Sequence, residues 1–244
     1  MVRVRSFVKD VSLGAQRSRS IAWAVHLLTA SGAPIALFAL IATATGRMAV
    51  AVYLMLAALV IDAVDGTFAR AVRVTEHAPE IDGRRLDDIV DYLNYVIVPV
   101  FFVWAGGFVA HPAWLAAPVL ASAFGFARVD AKTEDDFFLG FPSYWNVLAI
   151  YLWLFDLGPV ASTAWLVALS LAVFVPLKYL YPSKLEPRSL RRALGLGGVV
   201  WCTALAACAG QADWARSLWL RELSLAYPIW YVVLSLIRGG LKRG

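Results

Sequence analysis

Long apolar runs dominate this sequence and restrict the folds that it can adopt. Eight of them approach the roughly 20 residues that a helix needs to cross a bilayer. They cover about residues 21–43, 48–66, 86–109, 112–128, 143–156, 159–177, 192–209 and 218–237. With 61% hydrophobic and 16% charged residues and a mean hydropathy of +0.69, the chain is too apolar for a water-soluble domain. We therefore predict an integral membrane protein.

The lipid bilayer determines the secondary structure of these spans. An open strand edge in lipid leaves backbone groups unpaired, so each span must be helical. We predict an all-α bundle of about eight transmembrane helices that forms a single domain over residues 1–244. Residues 1–20 contain Arg3, Arg5, Lys9, Arg17 and Arg19 among apolar residues and are predicted to form a basic amphipathic segment on the membrane surface. Cys202 and Cys208 lie in one apolar run and are predicted to be packing residues without a disulfide.

The basic residues predict an orientation. With eight spans, 19 of the 22 Lys and Arg residues fall on the side of the two termini, and only Arg47, Arg216 and Arg221 fall on the other. Because cytoplasmic loops are enriched in Lys and Arg, both termini are predicted to be cytoplasmic. The same residues are scattered between apolar runs and form no stripe, so we predict no nucleic-acid partner despite the net charge of +5.

Acidic residues are concentrated where two spans meet the membrane surface. Eight of the 17 lie between positions 62 and 91. Asp62 and Asp65 close the second span and are spaced i, i+3, whereas Asp87 and Asp91 open the third and are spaced i, i+4. Each pair therefore shares one helix face. Asp88 is turned about 100° away.

Four carboxylates brought together repel one another unless cations compensate them. Oxygen ligands without a nearby His or Cys favour Mg²⁺, Mn²⁺ or Ca²⁺, and a pair of such ions serves in-line phosphoryl transfer. Because Mg²⁺ usually keeps substrate phosphate as a ligand, the pattern indicates a diphosphate substrate. Any single Asp here could instead be an ordinary interfacial acid that is neutralised by a neighbouring arginine.

The order of these residues is more specific than their charge. Asp62-Ala-Val-Asp65-Gly66-Thr67-Phe68-Ala69-Arg70 is followed by twelve residues and then by Gly83-Arg84-Arg85-Leu86-Asp87-Asp88-Ile89-Val90-Asp91. This order resembles the signature of the CDP-alcohol phosphotransferases, D-x2-D-G-x2-A-R, a spacer, then G-x3-D-x3-D. The long spacer and the segments IDGRRLDDIVDYL and AKTEDDFFLGFPSYWN resemble bacterial members that join CDP-diacylglycerol directly to choline. The resemblance implies a multi-pass enzyme of the bacterial inner membrane whose active site faces the cytoplasm.

The resemblance also implies residue roles. Asp62, Asp65, Asp87 and Asp91 would hold two divalent ions, Mn²⁺ or Mg²⁺, and Asp91 would also be the general base that accepts the acceptor's hydroxyl proton. CDP-diacylglycerol would be bound by Asp62, Gly66, Ala69, Arg70, Gly83 and Lys132. The expected reaction transfers the phosphatidyl group to choline, with CMP as the leaving group.

Choline has a quaternary ammonium that donates no hydrogen bond, so its site should use aromatic faces. Four aromatic residues near the acidic segments are candidates: Tyr92, Tyr95, Tyr144 and Trp145. The alternative for each of them is a place in the aromatic belt at the headgroup level.

Two other functions remain open. The acceptor could be glycerol 3-phosphate, serine or an inositol phosphate, because residues 178–192 contain five basic residues that suit a phosphorylated alcohol. Intramembrane Asp residues also line cation transporters, although no internal repeat is evident here.

His26, His77 and His111 show no ligand spacing and are interpreted as incidental. Gly195 to Gly198 could allow close helix packing in a homodimer.

Overall fold

A computed structural model describes the backbone of residues 2–211 and 213–240, and the side chains of residues 16–211, 214–215 and 217–240. The side chains of Arg3, Arg5 and Lys9 in the predicted surface segment lie outside the described residues. Their backbone belongs to the first helix, which continues without a break into the predicted first span.

Helices account for most of the described chain. Those of the first half are α1 (Val2–Ala30), α2 (Gly32–Ala44), α3 (Met48–Ala71), α4 (Val74–His77), α5 (Gly83–Asp91), α6 (Val98–Ala105) and α7 (Ala116–Ala127). Those of the second half are α8 (Trp145–Leu154), α9 (Pro159–Ala172), α10 (Arg188–Ala209), α11 (Asp213–Ser217), α12 (Leu220–Ser224) and α13 (Ala226–Arg238). A π-helical segment, Tyr92–Ile97, joins α5 to α6, and short 3₁₀ turns cover Pro112–Leu115 and Pro182–Lys184.

Within the described part of the chain, five stretches are long and apolar enough to cross a membrane: Gln16–Ala44, Met48–Ala71, Gly83–Ala105, Arg188–Ala209 and Leu220–Arg238. The other three predicted spans correspond to shorter apolar helices, Pro112–Ala127, Trp145–Leu154 and Pro159–Ala172. The prediction of a multi-pass helical membrane protein is therefore confirmed. The eight predicted spans all coincide with apolar helices, but only five of these helices have full spanning length.

One feature departs from the all-α prediction. Phe137–Leu139 (β1) pairs antiparallel with Lys178–Leu180 (β2), so that Phe138 faces Tyr179. Strands of three residues are too short to give a recognisable period of two in the sequence. The strands tie the loop after α7 to the segment after α9, and the ion pairs Lys178–Asp135 and Lys184–Asp136, each 2.6 Å long, strengthen this link. The hydrogen bond from Lys178 lowers the pKa of Asp135.

The twelve-residue spacer of the signature folds against the first helix. It contains α4, and an apolar cluster joins the two helices through Ala22, Val25, Val74 and Ala78. Glu80 accepts hydrogen bonds from Arg19 at 2.7 Å and from Trp23 at 3.2 Å. The spacer therefore anchors the start of α5 to α1.

The C-terminal helices pack closely on each other. A Cβ atom on Gly197 would lie 3.0 Å from the Tyr227 ring, and one on Gly198 would lie 3.1 Å from its hydroxyl. Two of the glycines predicted to serve a dimer thus face α13 of the same chain. Cys202 and Cys208 are both free, which confirms that they form no disulfide with each other.

Candidate active site

Two helices bring the acidic residues of the signature together. Asp62 and Asp65 lie on α3, and Asp87 and Asp91 lie on α5. Carboxylate oxygens of Asp62, Asp87 and Asp91 all lie within 4.8 Å of one another. The four residues line one small cavity of about 10 Å³, together with Thr29, Asn94 and Tyr95. The helical spacing predicted that each pair shares a helix face, and the family resemblance predicted that the two pairs meet.

Asp65 occupies a more protected position than the other three. It is 5% exposed and accepts a hydrogen bond of 2.7 Å from the Thr29 hydroxyl on α1. It does not belong to the group of three whose oxygens converge, although it lines the same cavity. Asp65 is therefore held by a neutral donor at the back of the site.

The donor set fits a hard divalent cation. In the part of the chain whose side chains are described, none of the four carboxylates forms an ion pair with a Lys, Arg or His. Converging carboxylates without a paired cation are unfavourable unless a metal neutralises them. Oxygen-only ligands at this spacing suit Mg²⁺ or Mn²⁺.

Lys132 supplies positive charge near this cluster. It interacts electrostatically with Asp62, Asp87 and Asp91. Lys132 lies across an isolated β-bridge from Phe138, and its ammonium is 5.7 Å from the centre of the Tyr181 ring. Neighbouring Lys178 and Lys184 are paired with carboxylates, whereas Lys132 has no ion-pair partner among the described side chains. Its charge is thus available to an anionic ligand.

The small residues of the signature leave the site open along α3. Gly66 and Ala69 follow Asp62 at i+4 and i+7, so they share its helix face. The exposed Arg70 donates a hydrogen bond of 3.2 Å to Thr67. A Cβ atom on Gly66 would lie 3.4 Å from the Arg70 guanidinium, in ordinary contact. The end of α3 therefore presents a surface with little side-chain bulk beside the carboxylates.

The turn from α5 into the membrane is π-helical directly after Asp91. Such segments are rare and often occur at functional sites. Asn94 in this segment donates to the Gly32 and Val90 carbonyls, both at 3.0 Å. A Cβ atom on Gly32 would overlap Val90, so α2 can approach α5 closely only because residue 32 is glycine.

The four aromatic candidates have different surroundings. The Tyr95 hydroxyl donates to Asp62 at 2.6 Å, and its ring centre is 6.2 Å from that of Tyr144. Tyr92 instead donates to the Val119 carbonyl at 3.0 Å. Trp145 is 1% exposed in the main hydrophobic core and donates to Ser122. The structure thus brings Tyr95 and Tyr144 together beside the carboxylates and directs Tyr92 and Trp145 elsewhere.

The buried position of His26 next to the start of α5 was not predicted from the sequence. It is 6% exposed, and its Nε2 is the one buried side-chain nitrogen or oxygen without a partner among the described residues. A Cβ atom on Gly83 would lie 3.1 Å from the imidazole Cε1, so His26 packs beneath the start of α5. A single histidine without ligand spacing gives no signal of this placement in the sequence.

Known proteins with similar sequences support the interpretation of this cluster as an active site. The family model described as CDP-alcohol phosphatidyltransferase matches residues 21–176. The chain is 39% identical over 231 residues to a phosphatidylcholine synthase of Legionella pneumophila, which covers 89% of this chain and 88% of that protein. It is 38% identical over 212 residues to the enzyme of that name from Legionella bozemanae, covering 84% and 97%. It is also 40% identical over 167 residues to that of Borreliella burgdorferi, covering 67% and 71%.

These similarities establish the class of the protein. The chain belongs to the CDP-alcohol phosphatidyltransferase family, as the aspartate signature predicted. It is an enzyme of this family, and the converging aspartates lie within the matched region.

Proposed function

We propose that this enzyme transfers the phosphatidyl group of CDP-diacylglycerol to choline and releases CMP. The observation that carries the proposal is similarity over most of the chain to three proteins named phosphatidylcholine synthase. The aspartate signature supports the transfer chemistry, because its carboxylates converge at one cavity.

Asp62, Asp65, Asp87 and Asp91 are the proposed metal ligands, with two ions of Mn²⁺ or Mg²⁺. When bound, such ions neutralise diphosphate charge and stabilise the leaving nucleotide. The three converging carboxylates offer their oxygens to the cavity, while Thr29 fixes Asp65 in one orientation.

Asp91 is the proposed general base. It accepts the proton of the choline hydroxyl as the choline oxygen forms a bond to the lipid-linked phosphorus. The bond from this phosphorus to the bridging oxygen breaks, and the oxygen leaves with CMP. The convergence of Asp91 with Asp62 and Asp87 supports this role, since the base must lie next to the diphosphate.

The CDP-lipid is proposed to lie along the end of α3. Asp62, Gly66 and Ala69 share one helix face, and a nucleotide can approach backbone where side chains are small. Arg70 and Lys132 supply positive charge for phosphate. Glycine at position 83 lets α5 begin close to α1, because a Cβ atom there would lie 3.1 Å from the His26 imidazole.

Choline is proposed to bind beside Tyr95 and Tyr144. Tyr95 donates to Asp62 and Tyr144 lies against the Tyr95 ring, and aromatic faces attract quaternary ammonium groups. The surroundings of Tyr92 and Trp145 give them a packing role instead.

Local ion pairs favour choline over a phosphorylated acceptor. Of the basic residues in the segment 178–192, Lys178, Lys184 and Arg191 are each paired with a carboxylate. Positive charge that is already neutralised gives little attraction for a second phosphate. Among the described side chains, this segment keeps only Arg188 and Arg192 outside ion pairs, which favours an uncharged or cationic alcohol group as the acceptor.

The proposed topology has eight crossings, with both termini and the aspartate cluster on the cytoplasmic side of the bacterial inner membrane. The three shorter apolar helices would complete their crossings with flanking residues or by local thinning of the bilayer. The distribution of basic residues supports an even number of crossings.

The test is an acceptor panel. The purified protein is incorporated into vesicles with CDP-diacylglycerol and Mn²⁺, and CMP release is measured with choline, serine, glycerol 3-phosphate or inositol phosphate. We expect choline alone to support CMP release, with phosphatidylcholine as the lipid product. Release that requires another acceptor would retain the family reaction and overturn the choline assignment.

A further inference from the structure

Similarity to the relatives extends beyond the region that the family model matches. The family model ends at residue 176, whereas similarity to the Legionella pneumophila synthase covers 89% of the chain and so must continue past that residue. The family shares its transfer reaction and differs in the acceptor alcohol. Residues after 176 that reach the candidate site are therefore good candidates for acceptor selection.

An aromatic contact chain connects helix α13 to the carboxylates. The Tyr231 ring centre on α13 is 6.0 Å from that of Tyr144, which is 6.2 Å from that of Tyr95. Tyr95 in turn donates its hydroxyl proton to Asp62 at 2.6 Å. Tyr231 thus lies two ring contacts from a carboxylate of the site, although it is far from it in the sequence.

Tyr231 is held rigidly in this position. It is 8% exposed, and its hydroxyl donates to the Leu180 carbonyl of β2 at 2.8 Å. The Leu180 amide donates to Ser235 one turn further along α13. The small sheet thereby fixes the ring of Tyr231 relative to the loop that ends at Tyr144. A fixed ring loses little conformational entropy when it binds a ligand.

These rings are free of protein cations. Among the described side chains, the Lys and Arg groups that lie over aromatic rings contact Tyr181, Phe137 and Phe155. None lies over Tyr95, Tyr144 or Tyr231. The described Lys and Arg side chains thus leave these three rings to a cationic ligand, and Tyr95 lines the cavity itself.

We propose that Tyr231 forms, with Tyr144 and Tyr95, the aromatic wall that binds the quaternary ammonium of the acceptor alcohol. Tyr231 is a specificity residue in this arrangement and takes no part in the transfer of the phosphatidyl group. Successive rings are tilted by 57° and 66°, so their faces can contact a trimethylammonium group from different directions. The inference rests on the proposed choline function.

The test compares choline with dimethylbutanol, a neutral analogue in which carbon replaces the ammonium nitrogen. KM for each alcohol and for CDP-diacylglycerol is measured with Tyr231→Leu, Tyr231→Met and Tyr231→Phe. Loss of one cation-π contact should raise the choline KM of the Leu and Met variants about 2- to 30-fold and reduce the preference for choline over its analogue. The Phe variant keeps the ring and should show a smaller change.

Tyr227→Leu is the matched control, because Tyr227 lies one turn away on α13 and stacks on Trp201 instead. It should leave the preference for choline over dimethylbutanol unchanged. Equal changes in KM for both alcohols, or an unchanged preference in both the Leu and Met variants, would overturn the role of Tyr231. A wild-type protein that does not use choline would instead refute the proposed function itself.

Discussion

The Tyr95 hydroxyl donates a hydrogen bond of 2.6 Å to Asp62, so an aromatic residue of the proposed acceptor site touches a proposed metal ligand directly. The bond orients the Asp62 carboxylate within the group of three. Outer residues that orient a ligand in this way commonly affect metal affinity.

Tyr95→Phe removes this donor and keeps the ring. We expect kcat to fall about 10-fold and the Mn²⁺ concentration for half-maximal activity to rise by a similar factor. Tyr151→Phe is the control, because Tyr151 also has a buried, hydrogen-bonded hydroxyl but lies against Ser224 and Trp201. An unchanged Mn²⁺ requirement in Tyr95→Phe would show that the hydrogen bond does not orient a metal ligand.

Thr29→Val leaves the buried Asp65 carboxylate without its only side-chain donor among the described residues. A lost bond to a buried charged group costs about 1.5 to 3 kcal/mol, so the free energy of unfolding should fall by that amount. Thr29→Ser keeps the hydroxyl and should restore most of the stability. Thermal unfolding in detergent measures both; equal melting temperatures for Val and Ser would count against the bond.

Lys132→Gln removes the unpaired positive charge beside the carboxylates. Because a charge-assisted bond to phosphate is lost, KM for CDP-diacylglycerol should rise about 10-fold or more, with little change in KM for choline. Lys184→Gln removes a charge that is already paired with Asp136 and serves as the control. Similar effects of the two substitutions would indicate a general electrostatic effect.

We expect the contact between α1 and the spacer to weaken at acid pH. A hydrogen bond from its own backbone amide, with a further contribution from Arg19, lowers the pKa of Glu80. A lowered pKa in the folded state means that the stabilisation is present above the unfolded pKa and is lost as pH falls through the folded one. The stability difference between wild type and Glu80→Gln should therefore be constant near neutral pH and shrink on acidification. A difference that grows toward acid pH would contradict this assignment.

The aspartate cluster could be predicted from sequence because its geometry is local. Asp62 and Asp65 are fixed by one helix, Asp87 and Asp91 by another, and charge at membrane depth requires the two pairs to meet. The positions of Thr29, His26 and Tyr231 could not be predicted, since each depends on packing between distant segments. Apolar periodicity locates a helix but does not say which neighbour it contacts, so the roles of α1 and α13 appear only in three dimensions.

The lengths of the spans show the same limit. Hydropathy correctly located apolar helices at 145–154 and 159–172, but the predicted spans, 143–156 and 159–177, are longer than these helices. The first helix begins after Tyr144, and the second ends before Val173. Their flanking residues are apolar or aromatic but belong to the loops around β1 and β2. After α9 the chain turns, with the Phe174 and Val175 amides donating to the Leu171 and Ala172 carbonyls, and a hydropathy count does not detect such a turn.

The central claim is that Asp91, within the converging group, enables phosphatidyl transfer to choline. The most direct measurement is radiolabelled choline incorporation into chloroform-soluble lipid by vesicles with CDP-diacylglycerol and Mn²⁺, comparing wild type, Asp91→Asn and Asp88→Asn. Asp88 is the adjacent carboxylate on α5 and lies outside the converging group. We predict incorporation by wild type and Asp88→Asn, and none by Asp91→Asn, which still binds some CDP-lipid. Incorporation by Asp91→Asn at the wild-type rate would contradict the account.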